Sequence, residues 1–112
     1  MNLSFRESVI WLAGYLEGEG CFHLHPTNKK KYPGLLYPKI TVTATDEDVI
    51  AKVSGVTKTA YGTVKPQKKN WKPLFSCQIN GPNARGWMMM IYPFMGERRQ
   101  AKIKEVLAAW RD

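Results

Sequence analysis

The apolar residues of this chain repeat at helical spacing, then alternate, and then do both again in the same order. Ser4 followed by Glu7 makes a capping box ahead of Val9, Ile10, Leu12, Ala13 and Leu16. A first helix is therefore predicted from about Phe5 to Glu17, with Gly18 and Gly20 stopping it. Cys21 to Pro26 and Tyr37 to Thr45 both alternate, and the lysine-loaded stretch Thr27 to Gly34 between them reads as the loop of a hairpin. Asp46 is a natural N-cap for a short second helix, with Glu47 and Asp48 in its first turn, Val49, Ile50 and Val53 as its stripe, and Gly55 at its end. A second hairpin follows, about Ala60 to Lys65 and Trp71 to Ile79, around the basic turn Pro66 to Asn70. Asn83 caps a third helix that reaches Tyr92 before Pro93 ends it. A last helix, about Glu97 to Trp110, carries Ile103, Val106, Leu107 and Trp110 on one side.

The order α-ββ-α-ββ-α-α implies an α+β fold: one four-stranded antiparallel sheet with every helix on one face and the other face bare. A length of 112 residues suits one domain, 1–112. Four Trp, five Tyr and four Phe within a 44% hydrophobic composition supply a core, which argues against a disordered chain.

Lys and Arg number 17 against nine acids, a net charge of +8, and a field of that sign draws polyanions. Of the two obvious polyanions, a membrane is disfavoured, because the longest apolar run, Trp87 to Ile91, is far short of a span of about 18 residues. Met1 to Ser8 shows no secretory signal, so the expected location is the cytosol, or the compartment that holds the host genome, such as an organelle matrix. Cys21 and Cys77 are too few and too far apart for a disulfide framework or a C-x-x-C motif. With His23 and His25 they match no zinc spacing, and the Met88-Met89-Met90 run reads as core filler on the third helix.

Strand parity assigns the bare face. If Phe22, Leu24, Ile40, Val42, Ala44, Val64, Phe75, Cys77 and Ile79 point inward, then Cys21, His23, His25, Lys39, Thr41 and Thr43 point outward. So do Thr63, Lys65, Leu74, Ser76 and Gln78. The hairpin tips add Lys29, Lys30 and Lys31 at one end and Lys68, Lys69 and Lys72 at the other, with Asn28 beside the first group. Such cations neutralise phosphates, while the Thr, Ser, Gln, His and Asn between them carry the short donors and acceptors that read base edges. Duplex DNA is the ligand that fits, although a merely solvated sheet face looks similar.

One segment departs from ordinary helix composition. Gly14 sits mid-helix at a cost of about 1 kcal/mol relative to Ala, and with Gly18 four residues on it leaves a shallow groove for a close approach. Glu17 and Glu19 lie at a helix C-terminus, where the macrodipole disfavours negative charge and a bound cation would compensate it.

Here Leu12 to Gly20 reads L-A-G-Y-L-E-G-E-G, followed by Cys21-Phe22, and the chain resembles the LAGLIDADG homing endonucleases. The element order, the aromatic-containing strand Trp71 to Ile79 and the Tyr92-Pro93-Phe94 helix end followed by Arg98-Arg99-Gln100 extend the likeness over nearly the whole chain. The resemblance implies a saddle-shaped sheet on the DNA major groove and a motif helix that pairs with a second copy of itself. With a single motif, the chain would act as a homodimer on a long pseudo-palindromic site, with Trp11, Ala13, Gly14, Glu17 and Gly18 at the helix pair. The motif's last acid, Glu19, would be the metal ligand, with the Gly18 carbonyl beside it.

Mg²⁺, or Mn²⁺, would then support hydrolysis of both DNA strands, leaving short 3′ extensions, while Ca²⁺ would support binding without cleavage. Asp46 or Thr45 from the end of the second strand, and Arg98 or Arg99 from the start of the last helix, would flank the scissile phosphate. Both acids of the motif are Glu where its name has Asp, which lengthens each by a methylene and shifts a metal relative to the phosphate. Relatives of this kind spread mobile introns by homing. Others serve as intron RNA maturases or DNA-binding regulators that do not cut, and this is the alternative function; the retained Glu19 favours the nuclease.

Overall fold

Local capping and apolar stripes place the helices, and the computed structural model describes them within residues 3–26, 36–65 and 72–109. The elements run α1 (Phe5–Glu19), β1 (Cys21–Pro26), β2 (Leu36–Ala44), α2 (Glu47–Thr57), β3 (Tyr61–Val64), β4 (Leu74–Asn80), α3 (Gly81–Ile91) and α4 (Glu97–Ala109). A 3-10 turn at Tyr92–Phe94 precedes α4. The capping box forms as predicted: Glu7 N–H donates to Ser4 Oγ at 3.1 Å, and Ser4 N–H donates to Glu7 Oε1 at 2.9 Å.

The strands form one antiparallel sheet in the order β1-β2-β4-β3. Helix α4 packs on β1, α3 on β2 and α2 on β4, so the helices share one face as expected. The core lies between them. Leu12 and Leu16 of α1, Ile50 and Val53 of α2, Met88 and Ile91 of α3, and Ile103 of α4 close over Phe22, Ile40, Val42, Cys77 and Ile79. Fully burying one such side chain contributes about 1.5–3 kcal/mol, so this layer holds the sheet to the helices.

Two boundaries of the middle helices differ from expectation. Gly55 lies inside α2, which runs to Thr57 and is capped by Lys58 in the left-handed region, φ 54°. The third helix is capped at Asn80 rather than Asn83, and Pro82 fits its first turn because its missing N–H has no intrahelical partner there. Asn83 instead donates its side-chain amide to the Thr57 carbonyl at 3.3 Å and Thr59 Oγ1 at 3.1 Å, which ties α3 to the end of α2. Of the methionine run, Met88 is buried whereas Met89 and Met90 are exposed, so one of the three fills the core. Trp110 lies outside the described residues.

Register confirms the parity of three strands and reverses the fourth. Thr41 lies opposite Cys21 and Gln78, and Thr43 opposite Ser76, so these share the open face. In β3, however, Thr63 lies opposite Phe75 and Val64 opposite Leu74. Thr63 therefore takes the helix-side face, while Val64, 42% exposed, takes the open one.

Candidate functional site

Helix α1 runs two residues past the predicted end because Gly18 stays helical and the chain leaves at Gly20, with φ −79° and ψ 151°. The Gly20 N–H donates to the Leu16 carbonyl at 2.9 Å. A Cβ on Gly20 would lie 2.8 Å from that same oxygen and 3.0 Å from Leu16 Cβ, so this exit needs a glycine. The consequence is that Glu19 occupies the last turn, exposed, with no basic residue of its own helix in that turn. Its charge faces an unfavourable dipole.

Glu19 shares a pocket with Tyr15 and Val49 and with four consecutive residues at the end of β2, Thr43, Ala44, Thr45 and Asp46. Asp46 occupies the N-cap position of α2, but its side chain makes no capping hydrogen bond. Its carboxylate is thus not accounted for by the helix it precedes. Among the described residues the salt bridges are Arg99–Glu17 and Lys102–Glu105, so neither carboxylate of this pocket is neutralised by one. Partial burial, followed by the charges of Glu19 and Asp46, pushes the Tyr15 phenol above its usual range and keeps it a neutral donor at the pocket wall. Tyr15, which the sequence pattern did not single out, is half-buried and lines this pocket.

A second, basic pocket lies on the other side of Gly20, lined by Gly20, Cys21, Phe22, Arg98, Arg99, Ala101, Lys102 and Glu105. Arg98 is exposed here, not in the pocket of Glu19 and Asp46. Arg99 is already engaged. Its Nε donates to the Glu17 carbonyl at 2.9 Å and its Nη1 to the Gly20 carbonyl at 2.6 Å. The ambiguity between the two arginines thus separates into one exposed cation and one bound to α1. Lys102, one turn beyond Arg98, is a further cation of this pocket that sequence reasoning missed, although the i, i+4 spacing signals it.

The open face carries the polar residues expected of it with two qualifications. Thr43 and Gln78 are exposed, and Ser76 is half-buried. Lys39, by contrast, is 8% exposed on a central strand, covered where a free phosphate contact was expected. His23 is hydrogen-bonded to Thr41, with Nε2 and Oγ1 3.1 Å apart, and His25 stacks edge-on against His23 and leans on Tyr37. Partial burial, then the charges of Lys39, His25 and Lys102, holds the His23 imidazole below its usual range. Lys65 and Lys72 are exposed at the end of the second hairpin. Asn28, Lys29, Lys30, Lys31, Lys68 and Lys69 lie outside the described residues.

The residues expected at a helix pair also divide. Gly14 and Gly18 are exposed, and a Cβ on either would meet nothing within 4 Å, so packing inside the chain does not require glycine there. Ile10, 44% exposed, sits one turn before Gly14. Ala13 is 1% exposed and belongs to the chain's own core, so it is not available to a partner, contrary to expectation. Trp11 is half-buried, stacked on Tyr15 with centroids 5.6 Å apart, with Lys52 Nζ 4.1 Å over its ring. Glu17 accepts a hydrogen bond from the Gly96 N–H.

A divalent cation suits what this donor set offers. Among the described residues no three His, Cys, Asp or Glu side chains cluster, so an all-protein cage is absent. Mg²⁺ binds through one or two carboxylates, substrate phosphates and water, and Glu19 and Asp46, which line the same pocket, are the residues that could hold it. Among the described residues no helix is long and apolar enough to cross a membrane.

No protein-family model matches the sequence, and no curated protein sequence does. Solved structures do match. The homing endonuclease I-CvuI, in complex with its target in the presence of calcium, superposes with a TM-score of 0.72 at 18% identity, covering 96% of this chain and 68% of that one. The archaeal intron-encoded homing endonuclease I-Vdi141I, complexed with DNA, gives 0.64 at 14% identity over 87% of this chain and 64% of that one. The group I intron-encoded homing endonuclease I-CeuI, also complexed with DNA, gives 0.60 at 18% identity over 96% and 56%. The chain has the homing-endonuclease fold, and it spans roughly half to two thirds of the length of these structures.

Proposed function

We propose that this chain is a site-specific DNA endonuclease that works as a homodimer and hydrolyses phosphodiesters with a divalent metal. The observation that carries the proposal is the pocket that joins Glu19 to an Asp46 left free of capping, at the border of the open sheet face. Two exposed carboxylates that line one pocket, with no salt bridge to either among the described residues, offer oxygen ligands to a cation. Glu19 and the exposed Gly18 backbone would hold the metal. When bound, Mg²⁺ would lower the pKa of an attacking water and stabilise the leaving 3′ oxygen.

The chain's own groups divide the remaining work. Asp46 accepts a hydrogen bond from the water and orients it, and the neutral Tyr15 phenol donates to an oxygen at the pocket wall. Arg98 and Lys102, in the adjoining pocket, attract the phosphate and offset its charge as the P–O bond breaks. The open face supplies the base contacts from Thr43, Ser76, Gln78 and the histidines, and Lys65 and Lys72 supply phosphate contacts. Exposed Gly14 and Gly18, with Ile10 beside them, let a second α1 approach, so that two Glu19 carboxylates meet at one axis. Solved structures with this fold include complexes with DNA, which supports the same ligand for this chain.

Selection from random duplex DNA in Ca²⁺, followed by Mg²⁺ on the enriched pool, tests the reading. Cutting of both strands at a roughly palindromic site is the expected result. Specific binding without cutting would replace the endonuclease with a DNA-binding regulator, and enrichment of no duplex would direct the test to structured intron RNA.

A further inference from the structure

The start of α4 is fastened to the end of α1 by bonds between residues some 80 positions apart. Arg99 donates to two carbonyls three residues apart, Glu17 at 2.9 Å and Gly20 at 2.6 Å. The Gly96 N–H, at the head of α4, donates to Glu17 Oε1, and Glu17 Oε2 lies 3.6 Å from Arg99 Nε. The Arg99 side chain is 17% exposed, so it is committed to these partners and is largely screened from a ligand. The two carbonyls it holds bracket Gly18 and Glu19. A planar guanidinium bridges two such acceptors from separate nitrogens in a fixed fork, whereas an ammonium must reach both from a single nitrogen on a flexible stem.

We propose that Arg99 is a positioning residue: by clamping the carbonyls of Glu17 and Gly20, it holds the Gly18–Glu19 segment in the geometry that binds the metal. This rests on the endonuclease reading for its consequence, but the clamp itself is a property of the fold. The physical need is plain. Two glycines flank Glu19, two acids crowd a helix C-terminus, and α1 has no basic residue in its own last turn. A cation at such a terminus is stabilising and satisfies carbonyls left without helical partners, and here it is brought from α4. Glu17, the acid not given to the metal, completes the clamp by accepting from the α4 backbone, where the helix N-terminus favours a negative charge.

Hydrogen exchange reads the clamp whatever the chemistry. In Arg99→Met the Gly20 amide, bonded to the Leu16 carbonyl at 2.9 Å, should exchange about tenfold faster or more, while amides of Leu12 and Ala13 keep their wild-type rates. Unchanged protection at Gly20 overturns the proposal.

On a duplex that wild type cuts, Arg99→Met should keep its DNA affinity in Ca²⁺ within about threefold and need about tenfold more Mg²⁺ for half-maximal cutting. Arg99→Lys should recover part of that shift. Affinity that falls in step with cutting makes Arg99 a phosphate contact and overturns the positioning role. If Arg99→Met does not fold, Gly96→Ala replaces it: its Cβ would lie 2.6 Å from Glu17 Oε1 and displaces that carboxylate, so a smaller shift in the same direction is expected. No shift in Gly96→Ala or Arg99→Lys would again count against the clamp. A wild type that cuts no duplex overturns the endonuclease reading alone, and the exchange result still decides the clamp.

Discussion

The pockets on the two sides of Gly20 differ in sign and in how their charges are satisfied. On one side Glu19 and Asp46 share a pocket, and no salt bridge among the described residues neutralises either. On the other, Arg99 pairs with Glu17, Lys102 lies 3.5 Å from Glu105, and Arg98 stays exposed. Among the described residues, the ion pairs thus lie on the basic side, where pairing orders the structure, and none lies on the acidic side. Carboxylates left in this way keep their affinity for something else. A basic protein of 17 cations has no shortage of partners for them, so the lack of a salt bridge among the described residues comes from placement and not from composition.

The largest effect should come from removing the charge that defines the acidic pocket. Glu19→Gln is expected to lower cutting by about 10²–10³-fold while leaving duplex affinity in Ca²⁺ intact, measured by single-turnover cleavage beside equilibrium binding. Lost affinity would mean that the carboxylate serves the fold. Asp46→Asn sharpens the comparison further, because Asn caps a helix as well as Asp does. Cutting should fall about tenfold with the melting temperature unchanged, since a shift of that size corresponds to about 1.4 kcal/mol in the barrier. Unchanged cutting would return Asp46 to a helix-start role.

On the basic side, Arg98→Ala should weaken binding a few-fold and flatten the dependence of log affinity on log salt by about 0.9, the share of one phosphate contact. An unchanged slope would take Arg98 out of the interface. Gly14→Ala asks whether the acidic pocket needs a second copy. With open space for the Cβ, the substitution should raise the stability of the isolated chain by about 0.5–1 kcal/mol, yet lower the dimer fraction in sedimentation. A dimer as strong as wild type would move the pairing surface elsewhere.

The smallest effect is a change in titration. The folded chain holds the His23 pKa below its usual value, so the unfolded chain binds more protons as pH drops through about 6.5, and His23 costs stability there. Its NMR titration should lie below the usual value in wild type and rise slightly in Lys102→Ala, which removes one of the cations responsible.

Much of the frame could be read from neighbours close in sequence. The Ser4–Glu7 box, the alternation of Cys21 to Pro26 and the stripe of Ile103 and Val106 depend on contacts within one or two turns or along one strand, and the structure has them as predicted. Errors arose where two local signals compete. Asn80 and Asn83 are both good caps, and Pro82 in the first turn decides for Asn80. In β3, Gly62 has no side chain to mark a face, so the parity of Thr63 and Val64 was free to slip until pairing with Phe75 and Leu74 set it.

By itself, then, the sequence determined the order of elements, the single apolar side of the sheet, the net positive field and the presence of an acid at the end of a glycine-marked helix. Periodicity, caps and charge act over short range or add over the whole chain, so they are written in the string. Which acid is bound to Arg99, which arginine is exposed, and that Ala13 is sealed in the core were decided only by tertiary structure. Those answers turn on contacts such as Arg99 to Glu17, 82 residues apart, whose geometry exists only once α4 has packed on β1 and brought its first turn to the end of α1.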